Sequence, residues 1–159
     1  MRLRLVALFA LLALPVFAQG PQRYDDARLG YTIELPSGFT DQGESSDGDG
    51  QIFAVPGRAI ELSVWGGLLG GSDPDFEGMV STGMARDAEE GWNQTYQATT
   101  SRWAEWSAMA GGQVLRQRRI LLCDGRSYAA FRARYGTNDR AEMDPVVDRL
   151  ATSLRGKAC

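Results

Sequence analysis

The chain contains no histidine, only two cysteines, and a single lysine among its 17 basic residues. Without an imidazole, Ser-His-Asp and Cys-His nucleophilic sites are excluded, and so is any His-ligated zinc. Two cysteines, Cys123 and Cys159, are too few for a thiolate metal site and are not spaced as C-x-x-C. No apolar run after the first eighteen residues is long enough to span a bilayer. Phosphate-cradling loops are missing too. The glycines at 66, 67, 70 and 71 lack both the spacing and the lysine of such a motif. No metal and no cofactor is therefore expected.

What is present begins with an export signal. Arg2 and Arg4 precede a thirteen-residue apolar stretch, Leu5 to Phe17, which ends in Val16-Phe17-Ala18. This is the pattern of a cleaved secretory leader, so residues 1–18 are expected to be removed and the mature protein to begin at Gln19. The remaining 19–159 has the size of one exported domain, with no lipid-accepting cysteine at its new start and no stable membrane anchor after cleavage. A bacterial periplasm fits these features. In such an oxidising compartment Cys123 and Cys159 are expected to close as a structural disulfide; a thiol pair or a reactive thiol is the alternative.

After the leader, 15 basic residues face 20 acidic ones, a net charge of −5 that argues against a nucleic-acid partner. The imbalance is uneven. Residues 24–90 hold 14 acids against 3 arginines, whereas 91–159 hold 6 acids against 11 basic residues. Such an asymmetry can steer a partner, or can simply cover two surfaces of one domain.

Periodicity then divides the chain. Residues 19–23 read as a loose start. Tyr31, Ile33 and Leu35 alternate with polar neighbours as a strand closed by Pro36-Ser37-Gly38. The polar stretch 41–50 reads as a hairpin loop leading to a strand over 51–55, and Ile60, Leu62 and Val64 mark a third strand over 59–65, followed by a loop over 66–72. The period then changes to 3.6. Asp73 and Pro74 suit a helix start, Phe76, Met79, Val80, Gly83, Met84 and Ala88 share a face, and Gly91 stops the helix. Four strands are expected over 92–99, 102–109, 113–122 and 126–135, with turns at Gly111-Gly112 and Asp124-Gly125. Asp144-Pro145 predicts a last helix with Val146, Val147, Leu150, Ala151 and Leu154 inward and Gly156 beyond its end. Short turns between successive strands require antiparallel pairing. The expected class is α+β, an antiparallel sheet flanked by helices.

The segments GYTIELPSGF (30–39), DGDGQIF (47–53) and AIELSVW (59–65) resemble the opening of a PsbP/Mog1-like domain. GGQVLRQRRILLCDGRSYAAFRARY (111–135) and DPVVDRLATSL (144–154) are similar to its later hairpins and last helix. The resemblance implies an α/β/α sandwich in a group of accessory, assembly and binding proteins, and it brings no catalytic residues with it.

Few constellations remain. Ser45, Asp47, Asp49 and Gly50 copy part of a calcium loop, but Ser45 stands where the first Asp belongs and Pro56 where a bidentate Glu belongs, so a solvated hairpin is expected. Arg116, Arg118, Arg132 and Arg134 occupy alternate positions on two strands joined by Asp124-Gly125, and are expected to share one face. That stripe is either salt-bridged to nearby acids or a possible binding face for an unknown protein or small anionic ligand. Trp65, Trp92, Trp103 and Trp106 read as core or helix–sheet contacts, and Asn93-Gln94-Thr95 as a glycosylation acceptor relevant only to a eukaryotic route. The functional expectation is an exported soluble accessory or binding protein without an identifiable catalytic site. The alternative is a small hydrolase built on two of the carboxylates.

Overall fold

The computed structural model describes residues 20, 22–46, 48–71 and 75–157. The expected leader, the Gln19 start, Asp47, Asp73, Pro74 and Cys159 lie outside the described residues. Among the described residues, ten strands and two helices follow in the order β1 (Gln22–Asp26), β2 (Tyr31–Leu35), β3 (Thr40–Glu44), β4 (Gly50–Ala54), β5 (Glu61–Leu68), α1 (Phe76–Glu89), β6 (Asn93–Thr99), β7 (Trp103–Ala110), β8 (Gln113–Leu121), β9 (Ser127–Gly136), α2 (Arg140–Ser153) and β10 (Arg155–Gly156). Seven strands form one antiparallel sheet ordered β3-β4-β5-β9-β8-β7-β6, and β1-β2-β10 form a smaller one. This is the expected α+β class, with a helix on each face of the large sheet.

The two faces are built differently. On one face α2 and the small sheet enclose the main core, in which Tyr31, Ile33 and Leu35 of β2 meet Leu62, Val64, Phe131, Ala133 and Tyr135 of the large sheet and Met143, Val147 and Leu150 of α2. On the other face α1 packs Phe76, Met79 and Val80 onto Ala104, Trp106, Ala108 and Leu115. That second cluster covers β7 and β8 and leaves the β4–β5 end of the same face uncovered.

Two departures from the sequence reading follow from exposure. Residues 22 and 23, expected in a loose start, open a strand that runs to Asp26, and 40–44 form a strand that runs into the expected polar loop 41–50. All five β3 residues are exposed. A strand with no buried side writes no alternation into the sequence. β5 runs on to Leu68 through Gly66 and Gly67, which were expected in a loop. Helix α1 is capped by Asp75, whose side chain accepts the Gly78 N–H at 2.7 Å, rather than by Asp73.

Helix α2 starts four residues before the expected Asp144, after a 3-10 turn at Thr137–Asp139. Asp144 is no cap; it accepts a 2.7 Å hydrogen bond from the Tyr135 hydroxyl. Pro145 lies inside the helix and is exposed, as is Ala141, whose carbonyl loses its partner to that proline. Arg58 anchors the helix start through Asp139 at 2.7 Å and Glu142 at 2.8 Å.

The Gly111-Gly112 turn forms as expected, whereas Asp124-Gly125 lies inside a four-residue connection, 123–126, closed by the Leu122 N–H to Ser127 O bond. At the β7–β8 turn Gly111 and Gly112 take φ of 53° and 78°, and Ala110 pairs with Gln113 across them. Two successive positive φ values are what a two-residue hairpin of this hand needs.

Candidate functional site

Register brings the site together. Ser63 of β5, Arg132 of β9, Gln117 of β8 and Trp106 of β7 are successive cross-strand partners, so they form one row across four strands on the α1 side of the sheet. Above the row stands Asp87, from the last turn and a half of α1, only 4% exposed. Three of the four side chains converge on it. The Trp106 indole donates from Nε1 at 2.8 Å, the Gln117 amide from Nε2 at 3.0 Å, and Arg132 Nη1 pairs with it at 3.0 Å. Arg132 extends its other nitrogen to Glu90 at 3.2 Å, so that it holds the last turn of α1 and the residue that caps it.

A buried carboxylate is tolerated where a cation and neutral donors saturate it, and here they do. Gln117 is 2% exposed, and its amide orientation is fixed by Asp87 because the reverse would set two acceptors against each other. Its Oε1 is consequently buried without a hydrogen-bond partner.

The next row, Trp65, Ala130, Arg119 and Ala104, places a second cation beside the first. The Arg119 guanidinium lies over the Trp106 ring at 5.0 Å and donates to the Met79 carbonyl at 2.8 Å. Gly83 of α1 makes this possible, since a β-carbon there would come within 2.3 Å of the guanidinium. Arginine and helix therefore occupy each other's space only because that residue has no side chain.

Between α1 and the uncovered part of the sheet these rows line a groove of about 320 Å³. Its floor includes Ser63, Gln117 and Arg132, its walls include Trp65, Tyr128 and Arg119, and Arg86 of α1 stands at its exposed side. The Tyr128 ring lies against Gly67. Ser45, Asp49 and Gln51 from the β3–β4 hairpin and the start of β4 close one end. Asp49 is paired with Arg28 at 3.0 Å, whereas Arg86 makes no ion pair among the described residues. No group of three or more Cys, Asp or Glu side chains comes together among the described residues in a way that could hold a metal.

The expected arginine stripe is not formed. Gln117 pairs with Arg132 and Arg116 with Ala133, so even-numbered residues of β8 stand opposite odd-numbered residues of β9. Arg132 and Arg134 face the α1 side; Arg116 and Arg118 face the α2 side. There Glu105 holds the latter two at 3.0 and 3.1 Å, and Asp148 of α2 also reaches Arg116 at 3.1 Å. Arg134 pairs with Glu61 at 2.7 Å. The salt-bridged reading fits all four, and only Arg132 touches the groove. The charge asymmetry along the chain is met in the same way, because β9 lies next to β5 and sets its arginines against acids from the first half.

Of the four tryptophans, Trp106 is buried core, while Trp65, Trp92 and Trp103 are half-buried. Sequence reasoning missed Asp87, Gln117 and Arg119. Asp87 did leave a trace, since 76, 80, 83 and 87 repeat at the helical period that selects the buried face of α1. Asn93 stands exposed on the edge strand β6. Cys123 follows β8 in the turn to β9, where Leu122 N–H bonds Ser127 O at 2.7 Å.

No protein-family profile and no curated protein matches the chain. Solved structures do, and they define a PsbP/Mog1-like fold. The cyanobacterial PsbP protein CyanoP from Synechocystis superposes with a TM-score of 0.64 at 16% identity, over 92% of this chain and 98% of its own. The Saccharomyces cerevisiae Ran-binding protein Mog1p does so with a TM-score of 0.62 at 10% identity, over 86% and 95%. The chain therefore has the fold that its element order resembles.

Proposed function

We propose that this chain is an exported accessory protein of a bacterial periplasm, carried there by its leader and acting by binding in the groove beneath α1. The observation that carries the reading is the groove itself: one face of the sheet is left half-covered, and the uncovered half is lined by arginines, aromatic rings and a buried amide. One structural neighbour is named for binding another protein, which accords with a binding role. A hydrolase would need two carboxylates directed at a substrate. Of the two acids lining the groove, Asp87 is saturated by three donors and Asp49 is engaged by Arg28.

Two measurements test this. Intact mass of protein recovered from the envelope fraction should begin at Gln19; a species retaining residues 1–18 removes the export reading. Ser63→Phe, which fills the groove from the sheet side, should abolish capture of whatever the wild-type protein retains from native envelope. Unchanged capture removes the groove from the reading.

The disulfide between Cys123 and Cys159 belongs to the same proposal. Its support is the path of the C-terminus. β10 pairs with the start of β2, and Lys157 N–H bonds Gly30 O at 2.7 Å. Neighbouring Leu29 lies against Gly66 of β5, in the part of the sheet where β5 meets the beginning of β9. Closure of the intervening chain should stabilise the fold by about 3 to 4 kcal/mol. Two titratable thiols in the native oxidised protein would refute it.

A further inference from the structure

We propose that the ligand of the groove is a small, flat carboxylate that also carries a neutral hydrogen-bond donor; this rests on the reading of the groove as the binding site. The charge argument comes from what each ionic group is already doing. Arg132 is engaged by Asp87 and Glu90, and Asp49 by Arg28, whereas Arg86 meets no carboxylate among the described residues. Arg119 adds a second positive charge, held in place by the Trp106 ring and the Met79 carbonyl. The groove thus presents positive charge to whatever enters, and a carboxylate answers a guanidinium in both geometry and charge.

The donor requirement has a separate origin. Gln117 Oε1 is a buried acceptor left unpaired by the commitment of its amide nitrogen to Asp87. An unmet buried acceptor is costly, and a ligand bringing an N–H or O–H to it recovers that cost. Shape follows from Trp65 and Tyr128, two ring systems in the walls, and from a volume of about 320 Å³ that suits a single-ring molecule.

Three features therefore have to be met together, and matched probes separate them. Calorimetry on the full mature protein would compare 3- and 4-hydroxybenzoate, which carry acid, ring and donor, with benzoate, which lacks the donor, and methyl 4-hydroxybenzoate, which lacks the acid. At least one hydroxybenzoate should bind most tightly, with benzoate weaker by about threefold to tenfold for the lost hydrogen bond. The ester should be weaker by about tenfold or more, the loss expected for a charged partner. Arg86→Gln, on the exposed side of α1, should remove most of the difference between acid and ester while leaving the melting temperature unchanged. Tyr96→Ala, on the opposite face, should change nothing.

Absence of binding by both hydroxybenzoates at millimolar concentration overturns the proposal. So does equal affinity for acid and ester, for hydroxybenzoate and benzoate, or for wild type and Arg86→Gln. Failure here is distinguishable from failure of the groove reading. If Ser63→Phe still abolishes capture of native envelope material while no carboxylate binds, the groove binds something of another class and only this inference falls.

Discussion

The two faces of the seven-stranded sheet are held by opposite means. On the α2 face, contact is made mainly by large apolar side chains, with ion pairs beside them, Arg58 with Asp139 and Glu142 and Arg116 with Glu105 and Asp148. On the α1 face the order is inverted: a smaller apolar cluster sits towards β7, and the deepest contact of the last helical turns is the Asp87 carboxylate with its three donors. Apolar packing is non-directional and tolerates small slips. A saturated carboxylate fixes one position and fails as a unit. The α2 face thus serves as the foundation, while the α1 face holds a helix at a set height over an open groove.

The strongest way to break this contrast is Asp87→Ala. It leaves two buried donors, the Trp106 indole and the Gln117 amide, without their acceptor and takes from half-buried Arg132 one of its two carboxylates, and it should cost about 2 to 5 kcal/mol in chemical denaturation. Hydrogen exchange should show protection lost first in α1. Equal loss in both helices would mean that the faces are not separable. As a reference on the other face, Leu150→Ala should cost about 2 to 5 kcal/mol through its cavity and leave the groove's ligand affinity intact.

Gly83→Ala comes next. The added methyl group collides with the Arg119 guanidinium, and the helix must lift or the arginine must leave Trp106. Against the gain of about 1 kcal/mol that alanine brings to a helix interior, a net loss of up to about 2 kcal/mol is expected, with a changed tryptophan spectrum.

A smaller effect concerns acid. The Asp124 carboxylate accepts from the Ser127 hydroxyl at 2.6 Å and from the backbone N–H groups of Arg126 and Ser127, and these hydrogen bonds lower its pKa from 3.8 to about 2. Because the folded value is depressed, its contribution is fully present above pH 3.8 and is lost as pH falls towards 2. Asp124→Asn should flatten that part of the acid-stability profile; an unchanged profile would show that the turn does not depend on the charge. The smallest effect is expected for Arg134→Ala, a half-exposed pair with Glu61 that should shift stability by less than about 1 kcal/mol.

Much of this fold could be read from the sequence, and each failure has its own physical cause. β2, β5 and the four strands from β6 to β9 declared themselves by alternation and by turn residues. β1 and β3 did not, because a mostly exposed strand needs no apolar face. Pro145 reads as a helix start because proline favours a first turn, yet on the exposed side of α2 the freed Ala141 carbonyl can turn to water, so the helix carries the proline inside it. The arginine stripe failed on parity alone. Even a two-residue turn at Asp124-Gly125 sets Cys123 opposite Arg126, an odd number against an even one, so Arg116 and Arg118 could never have shared a face with Arg132 and Arg134. The polar cluster was harder to see. Asp87, Gln117 and Arg132 are brought together by helix phase and two strand registers at once, and no single segment carries that information.

Trp106 gives the molecule a built-in optical gauge. A guanidinium rests on its ring and a carboxylate holds its N–H, and both charges depend on where α1 sits. The indole excited state responds to such fields, so any lift or tilt of that helix should appear as a change in emission colour, readable without a label. Trp103, on the other side of the sheet, supplies a constant background, whereas Trp65 in the groove wall and Trp92 beside the end of α1 share in the signal.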